Sequence, residues 1–271
     1  MIQLEQWMVV AAYSLTLAYY VRAFRTGRQP ESVNAGRLMA IAVALHLSYL
    51  IHLTIFLGHL PVTGVFVAMT TCAWLFGAVY LSLEWRFKER SLGLFILPVI
   101  IILQTASNLF LELRRELPAI LKDVAFEIHV IMMLLSYAAF AISFIASLLY
   151  LLLSRDIERK SLGIFYRRLP SLDFFDSLSN LAVNIGLGFL TVGVAWGIYT
   201  GAKLTEPFFI WDAKFFAVGL TWLIYVVHLF LRRVIGWQGK RAAVISLLGF
   251  GWVLFSFVIV TLMFSKVHQF Q

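Results

Sequence analysis

The chain is poor in the residues on which soluble domains and thiol chemistry depend. Only 13% of its 271 residues are charged, 61% are hydrophobic, and the mean hydropathy is +0.88. A soluble surface needs far more charge than this, so the composition excludes a soluble domain of any size. A single cysteine, Cys72, excludes an internal disulfide, a cysteine-based zinc cage and a CxxC redox pair. We therefore expect Cys72 to be an ordinary core residue.

Long apolar runs are what the sequence does contain. A helix that crosses a bilayer needs about 20 mostly apolar residues, and eight such runs follow one another along the chain. The first run lacks the basic start and the cleavage site of a signal peptide, so we expect it to be retained. The predicted fold class is all-α, a polytopic membrane helix bundle with about eight transmembrane helices. The runs are residues 4–24, 37–58, 62–83, 91–111, 124–153, 181–202, 214–231 and 242–265.

Lysine and arginine collect on one side of this predicted bundle. Sixteen of the 22 basic residues lie in the loops after spans 1, 3, 5 and 7, and short cytoplasmic loops are the ones that collect such residues. We therefore predict a multi-pass protein of a bacterial-type inner membrane with both termini on the external side. This topology and the anionic lipid head groups account for the formal charge of +8, so no nucleic-acid partner is predicted.

One polar stretch, residues 154–180, divides the chain. It separates a five-helix N-terminal membrane part, residues 1–153, from a three-helix C-terminal part, residues 181–271. Within the stretch, Ser171 and Asp173 offer a helix cap, which predicts a short amphipathic segment on the cytoplasmic membrane surface.

Six histidines are the polar residues best suited to chemistry in such a bundle. An ionisable group within a span is costly and is a functional candidate for that reason. Neutral imidazole is the usual ligand of haem iron, and two rings on opposite faces give a six-coordinate b-type site. The alternative for any one histidine is a buried ring that a hydroxyl or carbonyl satisfies. The six are His46 and His52 in span 2, His59 at its outer end, His129 in span 5, His228 in span 7 and His268 after span 8.

Aromatic residues carry the second signal, in the C-terminal part. An external loop rich in aromatic rings offers flat surfaces to a porphyrin, although an interfacial aromatic belt is the alternative for each tryptophan. Between His129 and His268, this part contains Trp196, Trp211, Asp212, Trp222 and a Gly-Trp-x-Gly-Lys-Arg turn at 236–241. With these residues the segment resembles the haem-handling cytochrome c assembly superfamily with its tryptophan-rich WWD signature, especially the HemX-like and CcsA-like branch. The resemblance covers roughly residues 124–271.

The resemblance implies an external haem site. His129 and His268 would be the axial ligands of the iron of a b-type haem. The edge of this haem would be lined or oriented by the aromatic and acidic residues Trp196, Trp211, Asp212 and Trp222.

The same superfamily implies a second haem, or a haem path, deeper in the bundle. His46 or His52 with His228 are the donors available for its iron, and His59 is a further candidate contact at the external end of span 2.

The Trp-Asp loop departs from the family pattern. Phe208 and Phe209 stand where the family has further tryptophans, and Ala213 follows Asp212 where the family has proline. We therefore predict a protein that senses, holds or transfers haem, in cytochrome c biogenesis or in the regulation of haem synthesis, rather than a complete cytochrome c synthetase. An enzyme is not predicted, because no nucleophile-base pair or nucleotide loop is present. Expected partners are haem, membrane lipids, and a cytochrome c assembly subunit or a haem-biosynthesis enzyme.

Two other classes stay open at the level of the sequence. A small-solute transporter would have interrupted helices and paired intramembrane charges. The glycines of span 6 allow such an interruption, although Gly193-x-x-x-Gly197 is also the spacing of a close helix-packing face. The other class is a membrane scaffold that regulates a haem-biosynthesis enzyme without chemistry of its own. Bound haem would count against the transporter.

Overall fold

The computed structural model describes residues 2–111, 123–160, 163–202 and 213–264, and these are helical apart from short connections. Within these ranges there is no β-strand, which confirms the predicted all-α class. The helices are α1 (Ile2–Thr26), α2 (Gln29–Leu57), α3 (Val65–Phe87), α4 (Gly93–Phe110), α5 (Val124–Glu158), α6 (Ile164–Arg168), α7 (Leu172–Gly201), α8 (Ala213–Arg233) and α9 (Lys240–Phe264).

Eight of these helices are long and lie over the eight apolar runs, and the short α6 lies in the polar stretch between spans 5 and 6. By length and composition, six helices in the described part of the chain can cross a membrane: α2, α3, α4, α5, α7 and α8. The multi-pass membrane class is therefore confirmed, and the predicted count of eight crossings is approximate.

Helix α7 begins earlier than the predicted sixth span. Its first residue is Leu172, and the hydroxyl of Ser171 caps it by accepting a hydrogen bond from the backbone N–H of Phe174 at 3.3 Å. The residues expected to form a separate amphipathic segment are therefore the first turns of the spanning helix. The helix then continues past all of its glycines to Gly201, so α7 has none of the interruption that a transporter would need.

The chain folds into two compact units, and α5 contributes to both. Unit 1 comprises residues 1–138 and 163–170, and unit 2 comprises residues 139–162 and 171–271. The division into parts at 154–180 follows loop length alone and stays a prediction.

Unit 1 packs α1 against α2 and α4, with α3 against α2 and α4. Glycines permit two close approaches at one end of this unit. Gly93 lies so near the ring of Tyr20 that a Cβ would overlap it, and Gly36 lies in the same way against the carboxylate of Glu84. Backbones of neighbouring helices therefore come together where larger residues would hold them apart.

Unit 2 packs α7, α8 and α9 against one another. The rings of Phe140 and Tyr225 stack with centroids 3.6 Å apart and planes within 3°. Gly186 makes room for Phe140, because a Cβ at Gly186 would lie 2.6 Å from its ring. Small residues thus set the helix spacing here as well.

Candidate functional site

His46 lies in a buried chain of hydrogen bonds that joins four helices. Its Nδ1 is 3.2 Å from the hydroxyl of Tyr13, and its Nε2 is 3.0 Å from the hydroxyl of Thr70. Thr70 in turn donates to Oε1 of Gln104 at 2.7 Å. Every hydrogen bond in this chain has one donor and one acceptor if Tyr13 donates to Nδ1 of His46 and the Nε2–H of His46 donates to Thr70. An iron bond to His46 would break one of these hydrogen bonds, so the geometry favours a structural role, and the ligand role stays a prediction.

Replacing His46 with leucine separates the two roles. The variant is expected to lower the free energy of unfolding by about 2 kcal/mol, because it leaves the buried hydroxyl of Tyr13 without its acceptor and removes the donor to Thr70, which keeps only its hydrogen bond to Gln104. Haem per folded chain should stay unchanged. Unfolding in detergent and a haem assay on the same preparation measure both quantities. Loss of haem at unchanged stability would assign His46 to iron instead.

His52 lies further along α2, whereas His59 lies two residues after the end of this helix, and the surroundings of the two rings differ. His52 is partly exposed, and its Nδ1 is 2.7 Å from a carboxylate oxygen of Glu5. A carboxylate that orients an imidazole in this way is common behind metal ligands. His59 is buried, and its Nδ1–H donates to the carbonyl of Leu60 at 2.9 Å. Its Nε2 therefore carries the lone pair, and this buried atom has no hydrogen-bond partner within the described ranges.

Glu127 fixes the corner of unit 1 at which His59 lies. It is buried in the first turn of α5, and its Oε1 accepts a hydrogen bond from the backbone N–H of Leu60 at 2.8 Å. This bond ties the segment after α2 to the start of α5. His129 follows one half-turn later, half-buried, with its ring 6.4 Å from that of Phe126. His59 and His129 thus belong to the same corner of the molecule.

Glu127 was missed by sequence reasoning. The available signal was a carboxylate at the apolar start of a span, two residues before a candidate ligand. Glu5, which contacts His52, is likewise a carboxylate near the start of an apolar run. A carboxylate that contacts a histidine is a common way of fixing the ring.

His228 is the candidate ligand of unit 2. It is buried, its Nδ1 is 3.5 Å from the hydroxyl of Ser246, and its Nε2 has no hydrogen-bond partner in the part of the chain that the structure describes. Ser246 lies at the end of a buried group of hydroxyls that centres on Ser179, with Ser143 and Ser147 each 2.9 Å from it. A buried nitrogen without a partner is costly, and a metal ligand is one way in which it can be satisfied.

The tryptophans of the predicted haem site are only partly described. Trp196 and Trp222 are 38% and 39% exposed on α7 and α8, and Trp222 donates its indole N–H to the hydroxyl of Thr191 at 3.0 Å. Trp211, Asp212 and His268 lie outside the described residues. Among those that are described, there is no group of three or more His, Cys, Asp or Glu side chains that could hold a metal ion.

Comparison with known proteins relates most of the chain to one family. The family model described as "Cytochrome C assembly protein" matches residues 59–268. This region begins at His59 and ends at His268, so it includes His129 and His228, whereas His46 and His52 precede it.

Individual relatives agree with this match. The chain is similar to the "Cytochrome c biogenesis protein CcsA" of Chlamydomonas reinhardtii, with 27% identity over 79% of this chain and 61% of the relative. The proteins of the same name from Mesostigma viride and Porphyra purpurea are 24% and 27% identical, over 78% and 79% of this chain and 77% and 79% of their own lengths. The chain thus spans less than two thirds of the Chlamydomonas relative and more than three quarters of the other two.

Proposed function

The chain belongs to the cytochrome c assembly protein family, and on this premise we propose that it handles haem in the membrane during cytochrome c biogenesis. The observation that carries the proposal is the family match itself, which includes four of the six histidines. The relatives bear the name of cytochrome c biogenesis proteins. Haem is the cargo of this activity, which consists of holding, sensing or transferring it rather than of making a new bond.

The external haem is held by His129 and His268, under the loop that contains Trp211 and Asp212. Two neutral imidazoles on opposite faces give a six-coordinate b-type iron, and both histidines lie within the family match. The support from the described residues is the position of His129 at a corner that Glu127 fixes. The partly exposed rings of Trp196 and Trp222 offer flat apolar surfaces, to which the edge of a porphyrin can bind.

A second haem is bound through His228. The fit of this residue rests on its buried Nε2, which has no protein partner within the described ranges. This atom can donate its lone pair to iron in the tautomer in which Nδ1 carries the proton and donates to Ser246. His59 has the same chemistry in unit 1 and contacts the external haem. Of the two histidines that precede the family match, His52 is the better iron ligand, because Glu5 orients its ring and His46 already uses both ring nitrogens.

The orientation in the membrane follows from the basic loops, which we place on the cytoplasmic side of a bacterial-type inner membrane. His129 and His268 then lie at the external side. The protein that receives or reports on haem is a further assembly subunit or an enzyme of haem synthesis.

The first test is the visible spectrum of the detergent-purified protein, oxidised and reduced, with a chemical haem assay. The expected result is the sharp reduced spectrum of a six-coordinate b-type haem, at about one or two haems per chain. A colourless protein that takes up no added haem would overturn the proposal, and the transporter and scaffold classes would then be the ones to examine.

A further inference from the structure

Three basic segments of unit 1 meet around one cavity of about 260 Å³. They are the connection between α1 and α2, the connection between α3 and α4, and the end of α6. Each segment lies in a connection between predicted spans on the side where basic residues collect. The fold then brings all three segments to the same cavity. Like charges that converge in this way repel one another, and a bound anion would relieve the repulsion. The basic residues that line the cavity are Arg28, Lys88, Arg90, Arg167 and Arg168, and an acidic residue, Glu89, also lines it.

The cavity also lies at the first turns of two long helices. Arg28 is the N-cap residue of α2, and Ser91 directly precedes Leu92, the N-cap residue of α4. No side chain caps either helix. The positive ends of both helix dipoles therefore add to the positive potential of the cavity.

Buried contacts hold one wall of the cavity in place. Glu84 is only 3% exposed, and its Oε1 pairs with Nε of Arg90 at 3.2 Å. Its Oε2 accepts a hydrogen bond from Tyr20, which also lines the cavity. The carboxylate of Glu84, which does not itself line the cavity, thus fixes the positions of Arg90 and Tyr20.

A second part of the cavity lining is held by a contact to the backbone. Arg168 donates to the carbonyl of Arg25 at 3.3 Å, and its guanidinium lies against Gly27, whose φ is +66°. A Cβ at Gly27 would overlap that guanidinium, so glycine is required there for both space and conformation. The hydroxyl oxygen of Ser91 is buried at the cavity and has no hydrogen-bond partner within the described ranges. The hydroxyl of Ser91 can therefore form a hydrogen bond with a ligand in the cavity.

We propose that this cavity binds the phosphate group of an anionic phospholipid. The cavity lies where spanning helices end, which is the depth of lipid head groups. The exposed rings of Trp85 and Phe87, in the last turn of α3, are typical of that depth. Arginine and lysine are the side chains that bind phosphate best, and they outnumber the acidic residues in the lining. The inference does not rest on the proposed handling of haem.

The test uses the delipidated full-length protein in detergent and follows its apparent melting temperature. Phosphatidylglycerol in mixed micelles is expected to raise it by several degrees, and phosphatidylcholine much less. The double variant Lys88→Gln/Arg167→Gln should lose at least half of this shift, because both side chains line the cavity. It should still fold, because neither side chain forms a hydrogen bond or ion pair within the described ranges. The matched control is Arg86→Gln/Arg155→Gln, two exposed basic residues outside the cavity, and it should keep the full shift.

A second variant reports on the buried hydroxyl. Without lipid, Ser91→Ala should melt no lower than the parent protein, because it removes a buried polar atom without a partner. With phosphatidylglycerol it should show a smaller shift. If both test variants keep the full lipid shift, or if the control loses as much, the cavity is not a lipid site. If inorganic phosphate alone gives the full shift, the ligand is a soluble phosphate, and the lipid assignment is wrong.

Discussion

Replacing His129 or His268 with alanine is expected to lower haem affinity by at least about tenfold, because each variant removes one of the two axial bonds that we propose for the external iron. The remaining haem should change from a six-coordinate to a five-coordinate spectrum. Haem per chain after purification, together with the reduced and oxidised spectra, measures both effects. His129 is only half-buried, so the variant should fold.

His59→Ala is the matched control for these variants. His59 lies at the same corner as His129, is buried, and has a ring nitrogen without a partner in the described part of the chain. It is expected to lose less haem than either axial variant, because we place it in contact with the haem and not on the iron. Equal haem content in all three variants would contradict the axial assignment. A larger loss in His59→Ala would make His59 the ligand.

Imidazole rescue distinguishes ligation from a structural role. In His129→Ala, added imidazole can bind the iron at the position that the side chain has left, and the six-coordinate spectrum should return. A residue that only supports the fold would show no such recovery. Absence of rescue in both axial variants would therefore favour a structural explanation of their haem loss.

The positions of the helices were predictable because the membrane limits what the sequence can do. A spanning segment must be apolar over the thickness of the bilayer and must satisfy its own backbone, which leaves a helix as the only solution for a single run. Polar residues at the end of an apolar run are not subject to this constraint, so the point at which the helix begins or ends is less predictable. Helix α7 shows the consequence, because its cap at Ser171 and its first turns lie in residues for which the sequence predicts a separate amphipathic segment.

The histidines show what composition and spacing do not predict. His46, His59 and His228 have similar apolar neighbours in the sequence, yet their hydrogen bonds differ. The partners of His46 lie 33 and 24 residues away in the chain, on other helices. Only the packing of the helices shows that both ring nitrogens of His46 have hydrogen-bond partners, whereas Nε2 of His59 and of His228 has none within the described ranges. The three basic segments of unit 1 are a similar case. The charge of each segment is predictable from the sequence, but their meeting at one cavity is not.

Replacing Glu84 with alanine is expected to lower the free energy of unfolding by about 3 to 5 kcal/mol, the range found when one partner of a buried ion pair is removed. The carboxylate accepts hydrogen bonds from Tyr20 and from Tyr80, the latter at 2.8 Å, and it pairs with Arg90. Alanine would remove the acceptor of the buried hydroxyls of Tyr20 and Tyr80, and it would leave the partly exposed guanidinium of Arg90 without its carboxylate. Chemical or thermal unfolding in a defined detergent gives the measurement.

Two further variants show whether this loss comes from burial. Glu158→Ala removes the carboxylate of an ion pair with Lys240 in which both side chains are more than half exposed, and such pairs contribute within about 1 kcal/mol. Glu84→Gln keeps the volume and one acceptor oxygen but brings an NH₂ group towards donors, so its loss should lie between those of the two alanine variants. If Glu84→Ala unfolds no more easily than Glu158→Ala, the carboxylate does not hold this end of unit 1 together. The positions of Arg90 and Tyr20 in the wall of the basic cavity would then not depend on Glu84.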